Sequence, residues 1–197
     1  MDIVGLQMDI NDREKWVGVI GTRQPTENEL RATERLVHYL VTNGFIVVSG
    51  LALGIDAKAH QSAINFNGKT IAIVSTTKSE NIYPSANRRL ANLIRLNGCI
   101  LHPYSTMAKE NAFGDKSMNQ FMRRLIERDL ILATMCNKIV AISDSETING
   151  GTRWAVSYGQ KLGKEVYRYD SKGIFHVNPP TSVCDLTWNM EFDMSAI

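Results

Sequence analysis

The stretch Phe45-Ile46-Val47-Val48-Ser49-Gly50-Leu51-Ala52-Leu53-Gly54-Ile55-Asp56-Ala57-Lys58-Ala59-His60 decides how this chain folds. It opens on a β-branched apolar run, the pattern of a strand buried on both faces. Gly50 and Gly54 then break the run, and an alanine-rich polar segment suited to a helix follows. A strand, a glycine turn and a helix are the repeating unit of an α/β domain, and a turn of this size is suited to a phosphate.

Working outward, five more apolar runs have the same character: Trp16–Ile20, Thr70–Val74, Cys99–His102, Lys138–Ile142 and Glu165–Tyr169. Amphipathic stretches separate them. The first spans 27–43, with Leu30, Leu36, Val37 and Leu40 at helical period. Thr26 and Glu29 before it read as a capping box, and Asn43-Gly44 as a left-handed stop. Further helices are expected to start near Ile55–Asp56, Ser85, Ser117 and Gly151. This alternation predicts a Rossmann-like, doubly wound α/β fold: a mainly parallel six-stranded sheet with helices on both faces. Residues 1–170 are expected to form the domain, with a short N-terminal extension, and 171–197 a tail without a winged helix. The tail carries Pro179-Pro180, Trp188 and Phe192, and either folds back or meets a partner. Pro103–Lys116 is the longest loop.

Composition narrows the function classes. An apolar fraction of 44% and a charged fraction of 21% suit a globular domain. No run of about 18 apolar residues offers a membrane span, and Asp2 and Asp9 spoil the N-terminus as a signal peptide. Cys99, Cys136 and Cys184 are odd in number and far apart, which suits free thiols in a reducing cytoplasm and no metal site. The net charge is +2, but residues 182–197 hold Asp185, Glu191 and Asp193 and no Lys or Arg, so the preceding 181 residues carry +5. Such a body can bind a few phosphates without coating a duplex.

In an open parallel sheet, ligands sit outside the carboxyl ends of the strands. The first such loop offers Gly21, Thr22 and Arg23: a close-approach backbone, a hydroxyl and a planar fork suited to phosphate. An ordinary turn with a solvated arginine reads equally well. The second offers Ser49, Gly50, Gly54 and Asp56, where Asp56 either reads a ribose or base amine or caps the helix. His60, one turn on, suits packing better than catalysis. Arg124 and Arg128 share a helix face near Arg123, as a phosphate track or a solvated surface. Tyr83, Tyr104 and Phe113 lie near strand ends; Tyr104 and Phe113 are the candidates for base stacking and Tyr83 for packing.

Three stretches together, Gly21-Thr22-Arg23, Ser49 to His60, and Asn81-Ile82-Tyr83-Pro84-Ser85-Ala86-Asn87-Arg88-Arg89-Leu90, resemble the DNA-processing protein A (DprA/Smf) family, within the wider SLOG group of nucleotide-binding domains. The resemblance spans about residues 16–168 and implies binding of single-stranded DNA and its transfer to a RecA-type recombinase. It places Arg23, Asn87 and Arg88 or Arg89 at the DNA pocket, with Arg128 as a further basic residue and Gly150-Gly151-Thr152 as a phosphate nest. Leu130 stands where the family carries a second arginine. The family's N-terminal helical domain and C-terminal winged helix are expected to be missing. Recombinase loading and a homodimer therefore do not carry over directly, and a small ADP-ribose-like nucleotide is the alternative ligand. No cofactor is expected.

The segment Asn149-Gly150-Gly151-Thr152 also resembles the turn of cytokinin-activating phosphoribohydrolases. Those enzymes place a catalytic glutamate just beyond the turn, whereas Arg153-Trp154-Ala155 follows here. Without a general acid or base there, N-glycosidic cleavage has no proton carrier, so no catalytic residue is assigned and a binding protein is expected.

Overall fold

A computed structural model describes residues 1–105 and 120–177. The roles expected of Phe113, Ser117, Cys184, Trp188 and Phe192 fall outside these described residues. All six apolar runs become parallel strands: β2 (Trp16–Gly21), β3 (Ile46–Ser49), β4 (Thr70–Ile73), β5 (Gly98–His102), β6 (Lys138–Ile142) and β7 (Glu165–Tyr169). Among the described residues the sheet nonetheless has eight strands, in the order β1-β5-β4-β3-β2-β6-β7-β8. The two additions, β1 (Asp2–Gly5) and β8 (Ile174–His176), are antiparallel edges. By sequence pattern β1 belongs to an extension and β8 to the tail, so the boundary expected at residue 170 falls inside the sheet. Edge strands are short and half-solvated, and they lack the continuous apolar run that marks a central one.

Helices α1 (Glu27–Thr42), α2 (Ile55–Asn65) and α3 (Arg88–Asn97, after a 3-10 turn at Ser85–Asn87) cover one face. Helices α4 (Gln120–Met135) and α5 (Thr152–Lys161) cover the other. Alternation along β2 shows why: Val17 and Val19 pack under α1 and α2, whereas Trp16 and Ile20 pack under α4 and α5. Both faces are therefore apolar, and the strands read as near-continuous hydrophobic runs.

The first helix starts as its sequence specifies. The Thr26 hydroxyl accepts from the Glu29 amide at 3.1 Å, and the Glu29 carboxylate accepts from the Thr26 amide at 2.8 Å. It stops at Gly44, whose φ of +74° lets the Phe45 amide donate to the Leu40 carbonyl at 2.9 Å. Among the described residues, no helix is long and apolar enough to cross a membrane.

Strands β3, β4 and β5 step away from β2 on one side, whereas β6 and β7 continue on the other. The winding thus reverses between β2 and β6, and the loops leaving these two strands part to open a crevice.

Candidate functional site

The crevice at this switch point has a volume of about 780 Å³ and is walled by the β2–α1 turn, the β6–α5 loop and one side of α4. A cavity of about 30 Å³ adjoins it, lined by Arg23, Gly50, Leu53 and Tyr83 among others. The β2–α1 turn is held from below. At Gly21 a Cβ would come within 2.6 Å of the Ile55 side chain. At Gly54, with φ +75°, a Cβ would meet the Thr22 carbonyl, which accepts from the Ile55 amide at 3.1 Å. These glycines fasten one loop to the next. The Ile55 amide at the start of α2 is thereby engaged by the Thr22 carbonyl. Thr22 and Arg23 remain at the crevice wall, with the Arg23 side chain exposed.

Four of the expected contact residues are bonded within the scaffold, although Asp56 and Arg128 also line the crevice. The Ser49 hydroxyl donates to the Val19 carbonyl at 2.6 Å, tying β3 to β2. The Asn87 amide donates to the Leu51 and Ala52 carbonyls at 2.9 and 3.0 Å, clasping the β3–α2 loop to the start of α3. Asp56 is 5% exposed and accepts from the Ala52 amide at 3.3 Å. It lies at the second position of α2, so it does not cap the helix, and it is among the residues that line the crevice. Arg128 is 4% exposed and fills the space where a side chain on Gly50 would lie, donating to the Gly50 carbonyl. The second turn is therefore closed by the protein's own guanidinium, which corrects the open glycine cradle expected there.

Arg128 answers two carboxylates at once, Asp56 at 3.7 Å and Asp129 at 2.9 Å. One buried cation cannot fully offset the desolvation of two acids. Burial accordingly raises Asp56 above its usual range against the pull of Arg128. Asp129 is pushed up to about 6, first by burial and further by Asp56, with Arg128 and Arg23 opposing. Asp129 stands at the crevice wall.

Among the described residues nothing lies near a Cβ added at Gly150 or Gly151, and Gly150 takes φ +67°. They precede Thr152 at the start of α5, where no side chain caps the helix, and all three line the crevice. Arg88 and Arg89 begin α3 as exposed side chains beside the Asn87 clasp, but neither lines the crevice. Arg124 is buried against Glu80 at 3.4 Å, whereas Arg123 is exposed and pairs with Glu127 at 3.0 Å.

The aromatic expectations exchange places. The Tyr104 hydroxyl donates to Glu127 at 3.2 Å and its ring lies 4.5 Å from the Arg124 guanidinium, while burial raises its pKa strongly. It packs. Tyr83, expected to pack, is 43% exposed, with its ring edge-on to Phe121. His60 does pack: it is fully buried, its Nδ1 lies 2.6 Å from the Thr70 hydroxyl, and burial lowers its pKa to about 3. Cys99 and Cys136 are buried free thiols, and burial raises Cys99 to about 11. Among the described residues, no group of three or more His, Cys, Asp or Glu is arranged for a metal.

Sequence reasoning missed Asp129, Trp154 and the loop side chains Ser143, Ser145, Thr147 and Ile148, all at the crevice. The loop after β6 could have been found from topology, since it faces the loop after β2 across the reversal. The depth of Asp129 leaves no sequence signal.

An open, mainly parallel sheet whose winding reverses at a crevice defines a Rossmann-like α/β domain. The chain belongs to the family described as DNA recombination-mediator protein A, whose model matches residues 7–178. It is 40% identical to Protein Smf of Synechocystis over 116 residues, covering 59% of this chain and 29% of that protein. It is 33% identical to the DNA processing protein DprA of Streptococcus pneumoniae over 117 residues, covering 59% of this chain and 40% of that one. The chain thus spans less than half the length of these relatives. The X-ray structure of the pneumococcal DprA superposes with a TM-score of 0.69 at 25% identity, covering 84% of this chain and 53% of that one. The Helicobacter pylori DprA, whose structure concerns a unique single-stranded DNA binding mode, gives a TM-score of 0.67 at 25% identity, covering 84% of this chain and 69% of that one. The molybdenum cofactor binding protein of Rippkaea orientalis, at 18% identity and a TM-score of 0.53, covering 80% of this chain and 77% of that one, shares the fold.

Proposed function

We propose that this chain binds single-stranded DNA at the switch-point crevice and acts as a recombination mediator in DNA uptake or processing. The observation that carries the reading is Arg23, an exposed guanidinium at the crevice wall on a turn packed against Ile55 at Gly21 and against Gly54 of the next loop. A planar, permanently charged fork suits successive phosphates. Open backbone at Gly150-Gly151 and the Thr152 hydroxyl add neutral donors across the gap. From Arg23 the strand passes exposed Tyr83 towards Arg88 and Arg89, which bind its phosphates outside the crevice. The Helicobacter pylori relative's single-stranded DNA binding supports the ligand class. The binding unit in this reading is residues 1–177, acting in the cytoplasm, with a RecA-type recombinase receiving the strand and a homodimer as the assembly.

The test is fluorescence anisotropy of a labelled oligonucleotide across a salt series. Three phosphate contacts predict that log K falls with log salt at a slope near −2, at about 0.7 per contact on single strands. Arg23→Ala weakens binding by about tenfold or more, the worth of a charge-assisted hydrogen bond. Arg88→Ala with Arg89→Ala weakens it less and lowers the salt slope. No anisotropy change at low salt refutes the reading.

A crevice of about 780 Å³ also lies in the size range of small-molecule sites. A small ADP-ribose-like nucleotide, sensed or sequestered there, is the second reading. Ligands that bind the folded state raise its melting temperature by mass action, so a thermal-shift panel of adenine nucleotides with no response removes it.

A further inference from the structure

The crevice has two unlike linings. Arg23, the Gly150-Gly151 backbone and the hydroxyls of the β6–α5 loop are polar, whereas Leu125 and Ile126 of α4, Ile148 and the indole of Trp154 are apolar. An anion would use the first lining and leave the second wet, forgoing the gain from burying apolar surface. Trp154 is the distinctive member. Trp16 is fully buried in the core, but Trp154 is partly exposed in the first turn of α5, next to the two open glycines. The Arg153 guanidinium lies 5.1 Å from its ring centroid, which polarises and steadies the indole. With no side chain on Gly150 or Gly151, a planar ring can approach.

We propose that the β6–α5 side of the crevice is a nucleobase subsite in which the indole of Trp154 stacks on one base of a bound strand, against the apolar wall of α4. The inference rests on the reading that the crevice takes single-stranded DNA, and it assigns this subsite to the base while Arg23 takes the phosphate. Stacking is tolerant of base identity because every base has a π face, so the subsite favours base-bearing strands over bare backbone without reading sequence.

The experiment compares the full chain's anisotropy titrations with an oligothymidylate and with the same backbone carrying abasic sites. The wild type binds the base-bearing strand about tenfold more tightly, the scale of one stacked base, and that strand alone quenches tryptophan emission. Trp154→Phe keeps most of the preference. Trp154→Leu, which keeps apolar bulk without a π face, binds both strands equally and with wild-type affinity for the abasic one. If Trp154→Leu retains the wild-type preference, or the wild type shows none, the subsite is refuted while DNA binding stands. If the wild type binds neither strand, the proposed function fails and the subsite fails with it.

Discussion

Replacing Asp129 with asparagine should stabilise this protein at neutral pH. The folded chain holds the Asp129 proton until about pH 6, whereas an ordinary aspartate releases it near 3.8. Between these values the folded state binds more protons than the unfolded one, so stability falls as pH rises. The contribution is intact below about pH 4 and lost above about pH 6. A shift of this size is worth about 3 kcal/mol at most, at 1.36 kcal/mol per unit, and the side chain is 18% exposed, so little is lost to screening. The substitution Asp129→Asn leaves Arg128 facing Asp56 and the Gly50 carbonyl, one cation to one carboxylate. For a chain of this size that corresponds to an increase in Tm at pH 7.5 of at most about 6–12 °C, at 2–4 °C per kcal/mol. Thermal melts of wild type and Asp129→Asn, run from pH 4 to pH 8, give the difference curve directly. It should be near zero at the acid end and rise to a plateau above pH 6. A variant that melts below wild type at pH 7.5, or a flat difference, refutes the claim that two carboxylates strain one buried arginine.

Gly54→Ala places a methyl group at φ +75° against the Thr22 carbonyl, and should cost at least about 2 kcal/mol in urea unfolding while weakening oligonucleotide binding through the displaced Arg23 turn. An unchanged midpoint would show that the two turns are not fastened together. Thr26→Ala removes the capping oxygen of α1 and a 3.0 Å bond to Asp144, with an expected loss of about 1 kcal/mol by the same assay. Leu36→Ala, deep between α1 and the sheet, should cost about 3 kcal/mol; a value below about 1 kcal/mol would mean that α1 is loosely docked.

The six parallel strands, the capping box at Thr26 and the stop at Gly44 were legible because each is local: apolar periodicity and cap chemistry act within one turn or one strand. The glycine turns after β2 and β3 were legible for the same reason, and topology alone placed them at the ligand end of the sheet. What the glycines do was not legible. Gly50 is small because Arg128, 78 residues on, lies against it, and Gly54 because Thr22 does. Tertiary packing also turned Tyr104 and Asn87 inward, left Tyr83 outside, and set Asp129 within reach of the like charge on Asp56. Sequence determines which groups this chain owns and which local shapes they adopt. Only the assembled sheet decides which of them find a partner and which still face water, because that depends on neighbours brought together across the winding.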